Sequence, residues 1–154
     1  MKQFPWLCLL LLPLISGCSW MAEMMLFNKS VHPAAVTFRL DDVYAHQEKY
    51  VVKAYTIKKW NDSVPVLGDT IIVYSRINTD GSIYVELPSN TALVLTQGVN
   101  DDMGSLSGRK GLLMHVKSLE VMYPNDNSFS CRDTMCMSET VVVGKARAGI
   151  VVGD

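Results

Sequence analysis

Beyond residue 30 the chain is organised by alternation of apolar and polar positions. Val36, Phe38 and Leu40 alternate with Thr37, Arg39 and Asp41, the period-two pattern of a half-buried strand. Residues 50–60, YVVKAYTIKKW, are rich in β-branched and aromatic side chains, with Val51, Tyr55 and Ile57 on one face interrupted by Lys53. Residues 70–77 and 82–87 flank Asn78-Thr79-Asp80-Gly81, and Asp-Gly readily takes the positive φ of a hairpin turn. A further strand is expected at 92–96, after the Pro88-Ser89-Asn90 break; residues 111–122 read either way, and their position after a Gly-rich loop and their all-β company favour strand. The valine runs of 139–154 read as a last hairpin around a Gly-containing link. Residues 123–134 are the most loop-like part of the chain. Short strands separated by turn residues, with few helix signals, predict an all-β fold: a small antiparallel β-sandwich or a partly open barrel.

The first 30 residues follow other rules. Phe4 to Ile15 is an apolar run of roughly a dozen residues, too short for a spanning helix of roughly 20, and Pro13 weakens it further. Met1-Lys2-Gln3 before it and Ser16-Gly17 after it complete the pattern of a cleaved export signal. The small pair is followed at once by Cys18. Ile15-Ser16-Gly17-Cys18 resembles the lipobox of bacterial lipoproteins, in which the cysteine thiol takes a diacylglycerol and the chain is cut just before it. An ordinary secretory signal with a cysteine near its cut is the plainer alternative. The resemblance makes residues 1–17 a lipoprotein signal peptide and Cys18 the lipidated N-terminus, palmitate included; two or three acyl chains anchor stably where one does not. Ser19 stands where, in enteric-type bacteria, an aspartate argues for inner-membrane retention. The implied address is the outer membrane, on its periplasmic face. Residues 18–30 read as a lipidated tether; its apolar residues, Trp20 to Phe27, either lie on lipid or pack on the domain at 31–154.

Removing the signal leaves roughly 137 residues, enough for one domain. The formal net charge of −1 gives no basic footprint for nucleic acid. Of four cysteines, Cys131 and Cys136 remain after the signal and the lipid site are set aside. In an oxidising compartment a disulfide between them is the default. Met135 and Met137 beside the thiols also suit Cu(I), but no histidine lies nearby and the disulfide is the simpler reading, so no metal or other cofactor is assigned.

Catalytic patterns are sparse. Ser107-Gly108-Arg109-Lys110 matches S-x-x-K, but its companion motifs are missing and a Gly-rich loop is the wrong setting for that serine. His32, His46 and His115 stand far apart, outside metal-ligand spacing, and the acid pairs Asp41-Asp42 and Asp101-Asp102 fall at expected strand ends or loops. No nucleophile, base and oxyanion donor assemble, and the chain reads as a non-enzyme.

One similarity extends along the domain. Ala35, Val36, Phe38, Leu40, Asp42 and Val43, then Arg76, Ile77, Asp80 and Gly81, then Val94, Leu95, Thr96 and Gly98 resemble the strand, hairpin and V-L-T-x-G segments of the YscW/YbaY-type lipoprotein family. The resemblance runs over about residues 32–119, leaving the CRDTMC tail outside. It implies a β-sandwich lipoprotein whose secretion-linked branch acts as a pilotin, escorting a secretin to the outer membrane. The expected partners are membrane lipid through Cys18 and an envelope protein such as a secretin. The alternative is an envelope lipoprotein that binds a small ligand, a metal or a host factor.

Overall fold

The structure, a computed structural model, describes residues 21–40, 49–99, 109, 115–125, 127–132, 140–144 and 146–153. Ten strands follow in chain order: β1 (Met21–Asn28), β2 (Ala34–Leu40), β3 (Lys49–Asn61), β4 (Val64–Ile77), β5 (Ile83–Leu87), β6 (Thr91–Val99), β7 (Val116–Met122), β8 (Ser128–Arg132), β9 (Thr140–Val142) and β10 (Arg147–Val152). They form a single curled sheet, a half-barrel, in the order β8-β7-β2-β5-β4-β3-β6-β1-β10-β9. The all-β, partly open architecture expected from the alternation is what the chain adopts. The sheet is mixed rather than purely antiparallel, because β1 and β10 run parallel, Glu23 opposite Arg147 through Asn28 opposite Val152.

Two segments depart from the sequence reading. Residues 21–28, expected within a tether, are the strand β1 and belong to the sheet. The strand lies between β6 and β10, and Ala22 to Phe27 are all buried. A strand covered on both faces needs no polar alternation, which is why MAEMMLF carries none. The second departure is β8, which occupies Ser128–Arg132 inside the expected loop. Its residues alternate between exposed and half-buried, with Phe129 and Cys131 packed against the core. Serines at the outward positions disguise an edge strand as a loop.

The sheet buries both of its faces unequally. On the concave side Met24, Leu26, Val36, Phe38, Val85, Leu93, Leu119 and Ile150 form the larger core. On the opposite side of β1, β3, β6 and β10 a smaller cluster joins Met25, Phe27, Tyr55, Ile57, Ala92 and Val94, with Trp60 edge-on to Phe27. Gly149, opposite Met25 on the neighbouring strand, makes the parallel pairing fit: a Cβ there would come within 2.6 Å of the Phe27 ring and 2.5 Å of the Met25 carbonyl oxygen.

The hairpins behave as their turn residues dictate. Gly81 takes φ +80° between β4 and β5, and Asp80 accepts hydrogen bonds from the backbone N–H and hydroxyl of Ser82. Asp62 and Asn90 adopt left-handed φ in the turns after β3 and β5. β3 is joined to β6 only over Ala54–Thr56, and no further pairing links the two among the described residues. Below that seam β3 continues with β4 while β6 continues with β1, so the sheet forks.

Candidate functional site

Three features stand out on this frame. The first lies at the fork. Glu23, on β1, is 2% exposed, yet it is a carboxylate. Lys53 Nζ on β3 donates to its Oε1 at 2.6 Å, Gln97 Nε2 on β6 to the same oxygen at 3.1 Å, and Arg147 Nε on β10 to Oε2 at 2.9 Å. The Tyr55 hydroxyl sits 2.9 Å from both oxygens. Burial opposes ionisation of Glu23, but the hydrogen bonds from Lys53, Arg147 and Tyr55 outweigh it and hold the carboxyl below the ordinary glutamate value. The hydrogen bond to Glu23 raises Lys53 above its own ordinary value. Lys53 and Arg147 also flank the Tyr55 ring, at 4.7 and 4.9 Å from its centroid. With its proton held off and its oxygens filled by donors, Glu23 is placed to tie four strands together rather than to exchange protons with a substrate.

The second feature is an exposed stripe on the same outer face. Val51 pairs with Tyr74 and Lys53 with Ile72 across β3 and β4, and Arg76 pairs with Tyr84 across β4 and β5. Val51 is 57%, Ile72 66% and Tyr74 76% exposed. The Arg76 guanidinium lies 5.2 Å from the Tyr84 ring centre, and a shallow dimple of about 260 Å³ opens among Tyr74, Ser75, Arg76, Tyr84 and Glu86.

The third is a pocket of about 410 Å³ at the opposite end of the strands, where β1 finishes. Ser30, Val31 and His32 from the β1–β2 loop, Tyr123, Asn125 and Asn127 from the β7–β8 turn, Ser128 and Phe129 from β8, and Gly153 line it. Its scaffold is Asn28, fully buried at the end of β1. The Asn28 carboxamide donates to the carbonyls of His32 at 3.1 Å and Pro88 at 3.0 Å, and its oxygen accepts from Ser30 N–H and the Tyr123 hydroxyl. The wall is amphipathic, with amides, hydroxyls and the His32 imidazole beside apolar and aromatic surface. β8, which supplies part of it, is the last strand of the sheet and pairs only with β7 among the described residues. Such an edge can accept an added strand, and the pocket a side chain from it.

The residues singled out from sequence are scattered. Cys18 and Cys136 lie outside the described residues, as do Ser107, Lys110, His46 and both acid pairs. Cys131 is in β8, so the pairing with Cys136 stays a proposal. His32 is the one expected histidine that a site recruits, and His115 lies in the turn before β7. Among the described residues no group of three or more His, Cys, Asp or Glu is placed to hold a metal ion. Glu23, Asn28 and Tyr123 were not identified as site residues. A lone glutamate or asparagine in an apolar run was the available signal. No family model, curated protein or solved structure matches this chain.

Proposed function

We propose that this chain is a lipid-anchored envelope protein, held at the periplasmic face of the outer membrane through Cys18, whose β-domain holds a segment of a protein partner. A pilotin-like factor for a secretin or pilus channel is the specific form of that reading. The lipobox-like Ile15-Ser16-Gly17-Cys18 and the resemblance of the strand and hairpin segments to the YscW/YbaY-type family support it. The observation that carries it is that β8, which pairs only with β7 among the described residues, borders the amphipathic pocket. An extended segment would add to β8 through its backbone and place one side chain between Val31, Tyr123 and Phe129.

The test is site-specific crosslinking in living cells, with benzoylphenylalanine replacing Val31 or Ser128. The expected product is one envelope polypeptide, a ring-forming secretin subunit, crosslinked through a terminal segment. Val31→Glu, which puts a charge at a 75% exposed position, should lower a crosslink from position 128 at least tenfold without unfolding the domain. Cys18→Ser should remove the protein from the outer-membrane fraction. Failure to crosslink any polypeptide would overturn the assembly reading. The small-ligand reading would then lead, since about 410 Å³ falls within the range of small-molecule sites.

A further inference from the structure

We infer that the outer face of the half-barrel, around Val51, Ile72 and Tyr74, lies against the bilayer surface beside the anchor. The inference rests on the reading that Cys18 carries lipid. Because β1 starts at Met21, only Ser19 and Trp20 separate the anchor from the sheet. Three peptide units reach at most about 11 Å. On that reading the start of β1 is held within that distance of the headgroups.

The topology decides which surface shares that end. β1 runs away from Met21, and Met21 pairs with Val99 at the finish of β6. β3 runs antiparallel to β6, so its start, with Val51, returns to the same end, and the β4 partner of Val51 is Tyr74. Met21 is itself 52% exposed and stands two positions before Glu23, hence on the outer face. At the Ala54–Thr56 seam β1 and β4, three strands apart, lie roughly 15 Å from each other by ordinary strand spacing of about 4.8 Å, and beyond the fork Lys53 still reaches Glu23 from β3. A surface tied at β1 by so short a link brings the stripe to the bilayer when the sheet lies down on its outer face.

The chemistry matches that destination. Val51 and Ile72 offer apolar contact at acyl-chain boundary depth, and Tyr74 and Tyr84 are side chains with an apolar body and a polar tip. Lys53 and Arg147 share the single carboxylate of Glu23, which leaves one excess positive charge, and both remain about two-fifths exposed. Arg76 adds another cation to the stripe, with the Glu86 carboxylate lining the same dimple. Cations beside apolar and tyrosine side chains suit anionic headgroups. The β8 pocket, at the far end of the strands, is left facing away from the lipid.

The mature protein, purified from envelopes and reconstituted into phosphatidylethanolamine–phosphatidylglycerol vesicles, tests this with benzoylphenylalanine at position 74 or 72 and, as control, at position 31. Intact mass reports independently whether Cys18 bears acyl chains. Phospholipid adducts at 74 and 72, at least tenfold above those at 31, are the expected result. Acylated protein without such adducts, or with position 74 crosslinked to polypeptide instead, overturns the docking face while leaving the anchor intact. Protein without acyl chains that still forms adducts at 74 supports the face and defeats the anchor. Protein with neither defeats both.

Discussion

Glu23 shows how a single polar residue is accommodated in a strand that is otherwise apolar. Its neighbours in sequence, Ala22 and Met24, point into the concave core, while Glu23 points to the other face and meets donors from β3, β6 and β10. Replacing it with alanine removes a charged hydrogen-bond acceptor and leaves Lys53 and Arg147 partly solvated, so a loss of about 1–3 kcal/mol is expected. Its carboxyl is held below its ordinary value, so the stabilisation is present above the unfolded-state pKa, about 4.3, and is lost as pH falls through the lower folded value. Denaturant midpoints of the wild type and Glu23→Gln, compared from pH 7 to pH 3, should converge at the acid end. A constant difference would show that the carboxylate's charge is not what Glu23 contributes. Neither Lys53 nor Arg147 could be paired with it from sequence, since 30 and 124 positions separate them.

Among the elements, the half-exposed strands were the legible ones. β2 and β5 alternate inward and outward positions, and that alternation is printed in the residues themselves, whereas the stretch holding β7 reads either way and is placed as a strand by its all-β company. The two strands that were misread fail for opposite reasons. β1 is buried on both faces and so has no alternation, and β8 is a short edge strand whose outward positions, Ser128, Ser130 and Arg132, are all polar. The distinction between a tether and a central strand has a direct consequence in hydrogen exchange. Amides of Met24 to Phe27, paired on one side with β6 and on the other with β10, should be among the slowest in the domain. Exchange there at the rate of an unstructured linker would refute β1 as a core strand.

For the whole molecule, the parallel contact of β1 with β10 joins the first described strand to the last. The intervening strands must be assembled before that pairing gains anything, so closure depends on contacts distant in the chain. Removing residues 147–154 would uncover one side of β1, take Ala148, Ile150 and Val152 out of the larger core and delete Arg147 from Glu23. The truncated protein should lose its cooperative thermal transition; a truncation that keeps the parental midpoint would mean that β10 is peripheral. The start of β1 lies beside the finish of β6, and the pocket lies at the other end of the strands, so the outer-face stripe and the pocket are separated by the length of the sheet.

The amino-acid sequence alone was enough for the all-β class, the Asp80-Gly81 turn and the break at Pro88-Ser89-Asn90, because alternation and turn chemistry are local properties. It also carried the expectation of an anchor at Cys18, which depends on a few adjacent residues. The parallel β1–β10 contact, the fork between β3 and β6, the four-strand grip on Glu23 and the pocket organised by Asn28 were decided only by the tertiary structure. Each joins side chains tens of residues apart, and no local pattern records which distant strand will lie alongside.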